Sequence, residues 1–243
     1  MPVIGYLGPG SAQSDAFRVT GFRQGLKEAG YVEGDNVAIE FRWAEGHYDR
    51  LPALAADLVA RKVDVIVATA GVPSVRAAKE ATASIPIVFD AGADPVALGL
   101  VASLARPGGN VTGIAFMNTE LTPKRLELLS QLVPQAKAIG LLVNPKNPQT
   151  EGIVTSAQDA ARAMGVELQI LNAGTDPEID AAFATLAQSH GGGLIVGPDP
   201  FFSTWRERLV ASASRAGVPT IYQYREFATE GGLISYGPNI AAV

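Results

Sequence analysis

Cysteine is absent from the 243-residue sequence. That removes thiol nucleophiles, disulfides and thiolate metal sites together, while leaving the cellular compartment open. Histidine is almost as scarce: His47 and His190 stand far apart, and neither has a second histidine or a carboxylate at metal-ligand spacing. Both read as loop or helix-end residues, and no metal or other cofactor is expected. Basic clusters are missing too, the densest being Arg61-Lys62, and the net charge is −5. A nucleic-acid partner, which calls for a concentrated basic surface, is therefore not expected. No apolar run reaches the length of a membrane span. The first residues enter a strand pattern without a basic segment, an apolar stretch and a cleavage site, so the chain is either cytoplasmic or one whose signal has been removed. Neither GxGxxG nor GxxxxGK[ST] occurs, which weakens any nucleotide-binding reading.

What is present is ordinary for a folded α/β protein, with 47% hydrophobic and 18% charged residues. Strand patterns alternate with helical ones: PVIGYL, VDVIVAT, IPIVFD and NVTGIAF read as strands, and NVAIEFRW alternates as one. Helices are expected between them, including LPALAADLVARK, SVRAAKEAT and VALGLVASL. Continuous apolar strands separated by helices imply a parallel sheet covered on both faces. The second half repeats the scheme with AIGLLVN, VELQIL, GLIVG, PTIYQY and GGLISYG as strands. VDVIVATAGVPS answers GGLIVGPDPFFS, Ile85-Pro86 answers Val218-Pro219, and GGNVTGI answers GGLISYG. The expectation is a duplicated unit: two Rossmann-like, doubly wound lobes at 1–117 and 118–235, with 236–243 returning toward the first. The chain stops soon after GGLISYG with no closing helix, and a C-terminal part is expected to be missing.

Ligands of open parallel sheets bind beyond the carboxyl ends of the strands, at the switch in strand order. With two lobes facing each other, the predicted site is the cleft lined by GPGSAQ, TAGVPS, DAGADP, NPKNP, GPDPFF and YQYREF. In the first lobe, Thr69, Ala70 and Ser74 open a helix and suit a carboxylate, though Ser74 reads equally as a helix cap. Ser11 offers a hydroxyl, and Asp94 either caps a helix or meets solute. Phe116 and Asn118 lie at the crossing, as hinge or as site. In the second lobe, Asp199 could take an ammonium, with Phe201 or Tyr222 against an apolar body. Asn144 contacts solute or satisfies loop backbone, and Phe202 reads as core.

Several long segments, YLGPGS, FRQGLKEAGYVEGDNVAIEFRWAEGHYDRLPALAADLV, IPIVFDAGADPVALGLVASLARPGGNVTGI, PKRLELL, GPDPFFS and GGLISYGPNI, also carry a resemblance. Together they resemble the ABC-transporter substrate-binding family, whose better-known relatives bind tryptophan and other aromatic amino acids. The resemblance implies a periplasmic binding protein type I-like fold and a monomer in the periplasm. It also implies a small-molecule solute as ligand, possession of no catalytic residues, and an ABC transporter permease as partner. The rival readings are a small-molecule enzyme and a sensor or effector-binding module on the same two-lobed plan. The missing cysteines remove a Cys-pair racemase, and a carboxylate pair of Asp94 and Asp199 has cap positions rather than a histidine or metal to support it.

Overall fold

The computed structural model describes residues 1–189 and 191–240; His190 and residues 241–243 lie outside them. The chain divides into two compact units, one formed by residues 1–116 joined by Ile240, the other by Met117–Asn239.

The first unit runs β1 (Val3–Gly8), α1 (Ala16–Glu28), β2 (Ala38–Trp43), α2 (Leu51–Ala60), β3 (Val65–Ala68), α3 (Val72–Ala81), β4 (Ile87–Ala91) and β5 (Val111–Ala115). All its strands are parallel, in the order β2-β1-β3-β4-β5. Alternation along β3 sends Ile66 and Ala68 into a core with Leu58, Val75 and Ala78 of α2 and α3. Gly113 lets β5 sit close to β4, because a Cβ there would lie 2.2 Å from the Phe89 carbonyl oxygen.

The second unit runs α4 (Thr122–Leu132), β6 (Ala138–Val143), α5 (Thr150–Met164), β7 (Glu167–Asn172), α6 (Asp176–Gln188), β8 (Leu194–Val196), α7 (Pro200–Thr204), α8 (Arg206–Ala216), β9 (Thr220–Tyr222), α9 (Arg225–Thr229) and β10 (Ile234–Ser235). Its sheet, again parallel, has the order β10-β9-β8-β6-β7. Read from the other edge, this is the first unit's order with each strand number raised by five. The pairs matched in the sequence fall on β3 and β8, on the starts of β4 and β9, and on β5 and β10. Leu126 and Leu129 of α4 pack with Ile139, Leu141 and Ile195 in the second core. Gly165 and Gly217, both left-handed, end α5 and α8.

Two local expectations are corrected. VALGLVASL forms turns rather than a helix: Gly99 has φ +67° and its N–H bonds back to Val96 O, which ends the first turn. Ala102 N–H then donates to Pro107 O instead of continuing a helical ladder. The strand expected through Tyr224 stops at Tyr222, and Arg225 opens α9; the β-pattern of alternating tyrosines ran past the residues that β8 is long enough to pair.

Candidate functional site

Each sheet has one place where strand order reverses, between β1 and β3 in the first unit and between β6 and β8 in the second. The loops leaving those strands diverge there and expose backbone groups that neighbouring side chains must satisfy.

In the first unit the loop after β3 is Thr69-Ala70-Gly71. Ala70 has φ +60°, an uncommon conformation for a residue with a side chain, and Gly71 has φ +117°. Ala70 N–H donates to Asp90 Oδ1 at 2.5 Å, so the end of β4 holds this turn in place. Asp90 Oδ2 accepts from Arg18 of α1 at 2.7 Å, and Arg18 also lies 3.5 Å from Asp15. Ser74 is not the N-cap of α3; that position is Gly71. The Ser74 hydroxyl is fully buried and donates back to Thr69 O at 2.5 Å, with Gly71 O at 2.9 Å. It braces the loop from inside, and the first turn of α3 carries backbone N–H groups at Val72 and Ser74, Pro73 having none. The Tyr6 ring stands beside Thr69; burial, the largest effect, raises its hydroxyl well above the usual tyrosine range, while the Thr69 hydroxyl acts the other way.

The loop after β1 is shaped by a reciprocal pair: Ser11 N–H donates to Ser14 Oγ at 2.9 Å and Ser14 N–H to Ser11 Oγ at 3.0 Å. Gly10 packs closely beside them: a Cβ would come within 2.6 Å of the Asp15 carboxylate, which would have to shift. Asp94 Oδ1 accepts from Val96 N and Ala97 N at 2.8 and 3.2 Å, capping the turn that replaces the expected helix. Phe116, half-buried, ends the unit with its N–H on Ala91 O. A cavity of about 520 Å³ runs along the sheet face under α1, walled by Phe22, Val67, Val88 and Ile114, with Arg18 and Asp90 at its polar end.

In the second unit the switch point is built around Asp199. Its backbone is extended, Pro200 follows at the first helical position, and Oδ1 accepts from Phe201 N at 2.7 Å, the geometry of an N-cap. The loop after β6 supplies two more donors: Asn144 Nδ2 reaches Oδ1 at 3.2 Å and Asn147 Nδ2 reaches Oδ2 at 2.7 Å. Each asparagine also turns its own loop, Asn144 Oδ1 accepting from Lys146 N and Asn147 Oδ1 from Gln149 N, both at 3.0 Å. All three side chains are buried. An oriented carboxylate supported by neutral donors is chemically suited to an ammonium.

The structure thus brings Asn144 to Asp199 and gathers Thr69, Ala70 and Ser74 in one turn. It places Phe201 against Phe202 and Trp205, only 3% exposed. Tyr222 is stacked on Phe227 with centroids 4.8 Å apart, spending its ring on the core; burial raises its hydroxyl pKa to about 12. Sequence reasoning passed over Asp90, Arg18 and Asn147. Asn147 is the second asparagine of NPKNP, and a strand-end aspartate in VFD is a signal for Asp90, but nothing in the sequence pairs it with Arg18. Among the described residues, no group of three or more histidine, aspartate or glutamate side chains is placed to hold a metal ion.

Residues 10–242 match the family model described as ABC transporter substrate binding protein. A tyrosine-binding protein of Clostridioides difficile (strain R20291) is 36% identical over 167 residues, which are 68% of this chain and 47% of that protein. The chain therefore spans about half the length of that curated relative. The structure of a conserved domain protein from Vibrio cholerae superposes with a TM-score of 0.89 at 25% identity, covering 99% of this chain and 80% of the other. An ABC domain from Streptococcus pneumonia in complex with L-Trp gives 0.85 at 26% identity, covering 98% and 80%.

Proposed function

This chain belongs to the ABC transporter substrate binding protein family, and from that premise we propose that it is the solute-binding component of an ABC importer, acting outside the cytoplasm as a monomer. Its solute is an aromatic or other apolar amino acid, or a related carboxylate, which it delivers to a permease unchanged. The observation that carries the reading is the agreement of two relatives on one ligand class, tyrosine in one name and L-Trp in the other. The switch-point chemistry supports it. Asp199, steadied by Asn144 and Asn147, suits an ammonium, and the first amides of α3 behind the braced Thr69-Ala70-Gly71 turn suit a carboxylate. Ser11 and Asn144 serve this reading as supports of the loops that meet solute. Phe201, Tyr222, Asp94 and Phe116 serve it as packing, capping and connecting residues rather than direct contacts. No catalytic role is proposed for Asp94, which holds the amides of Val96 and Ala97, or for Asp199, which holds that of Phe201. Among the described residues, no helix is long and apolar enough to cross a membrane. Native mass spectrometry of protein purified without unfolding tests the proposal. An added mass equal to an aromatic amino acid, released intact on denaturation, is expected; a covalently altered product would overturn it.

A further inference from the structure

Arg125, on α4, is fully buried, and among the described residues its guanidinium bonds to oxygens of neutral groups. Nε donates to Tyr236 O at 2.8 Å, Nη1 to Asn118 O at 3.2 Å, and Nη2 to Asn118 Oδ1. Asn118, itself buried, passes the contact on through Nδ2 to the Tyr224 hydroxyl at 3.1 Å. Burial, the dominant effect, lowers the Arg125 pKa to about 10, so at neutral pH a full cation is kept in the interior for the sake of these three bonds. That is a costly way to satisfy two carbonyls and an amide oxygen, since a desolvated charge without a counter-charge is normally avoided.

The positions of the acceptors explain it. The second unit begins at Met117 and ends at Asn239. Asn118 is therefore one residue inside the first chain connection, and Tyr236 is three residues inside the second. Arg125 lies 7 positions in sequence from its partner in the nearer segment and 111 from its partner in the farther one. A single planar guanidinium, with donors fixed in a fork, spans both; an ammonium could not hold the same three acceptors. Gly237 lies in the same contact, because a Cβ there would come 1.9 Å from Gln223 O and 3.2 Å from Arg125 Nη2. We propose that Arg125 is a positioning residue that ties both connecting segments, 117–118 and 236–239, to the body of the second unit, so that loosening one loosens the other.

Hydrogen exchange followed by mass spectrometry on the whole chain tests this. In Arg125→Lys, amides at 117–121 and at 235–239 are expected to exchange together at least about tenfold faster, because each loses a charge-assisted partner. Those of β6 and β8 are expected to keep the parent rate. Gly237→Ala leaves Arg125 in place but forces the second segment outward, and coupling requires that 117–121 accelerate as well. Faster exchange confined to 235–239 in Gly237→Ala would overturn the proposal. So would an unchanged rate at either segment in Arg125→Lys, or an equal acceleration throughout the second unit. If Arg125→Lys does not fold, Gly237→Ala decides alone.

Discussion

Asp199 does two jobs that a substitution can separate. Its carboxylate accepts from Phe201 N, Asn144 and Asn147, and the same charge is the proposed partner of a ligand ammonium. Asparagine can still cap α7, but its amide group cannot accept from both neighbouring asparagines as two carboxylate oxygens do. Asp199→Asn is therefore expected to cost about 1–3 kcal/mol of stability, and also about 2–5 kcal/mol of binding energy for an amino-acid ligand. The second figure corresponds to roughly a thirty-fold to several-thousand-fold rise in Kd. Ser74 presents the opposite case. Its hydroxyl points back onto Thr69 O and Gly71 O, so Ser74→Ala is expected to remove about 1 kcal/mol of stability while shifting affinity by less than about tenfold. Chemical denaturation and calorimetry on both variants check the pair. Equal affinity in Asp199→Asn and the parent would leave Asp199 as a cap alone.

At the scale of elements, the turn between β3 and α3 is held in a conformation its sequence does not favour. Ala70 at φ +60° sits between β3 and α3, fixed by the Asp90 carboxylate. Relieving the Cβ strain outweighs the added freedom of the unfolded chain, so Ala70→Gly is expected to raise stability by about 0.5–1 kcal/mol, a gain readable as a higher denaturant midpoint. A lower midpoint would mean that the methyl group packs usefully. Gly113→Ala goes the other way. The new Cβ would press on the Phe89 carbonyl from the middle of β5, where β4 leaves no room to shift, and a loss of about 1–3 kcal/mol is expected in the same measurement. These elements also mark how far the sequence could be read. Apolar runs announced the inner strands such as β1, β3, β6 and β8, while the edge strands β2 and β7 carry polar residues in alternation. VALGLVASL misled, because its apolar spacing is helical while Gly99 adopts a conformation that only the folded backbone reveals. Asn144 and Asp199 were each legible as loop residues beyond strands flanking a switch point, though nothing local in the sequence pairs them. The Arg18 to Asp90 and Arg125 to Tyr236 contacts were not foreseeable, since they join residues 72 and 111 positions apart with no local pattern to flag them.

On the scale of the whole molecule, a repeated strand order places one polar switch point in each unit. The proposed recognition draws on the Asp199 carboxylate in the second unit and the start of α3 in the first. A solute that binds the folded chain alone must stabilise it, by about 2.7 kcal/mol at a hundredfold excess over Kd. Thermal melting with an aromatic amino acid should accordingly move to higher temperature, and alanine or a sugar should move it less. The most direct measurement is isothermal titration of solute-free protein with L-tyrosine, L-tryptophan, benzoate and a set of aliphatic amino acids, the solute being recovered and analysed afterwards. Saturable binding of an aromatic amino acid at one molecule per chain, with the solute returned intact, is the predicted result. Absence of binding across the whole panel, or recovery of a chemically changed solute, would contradict it.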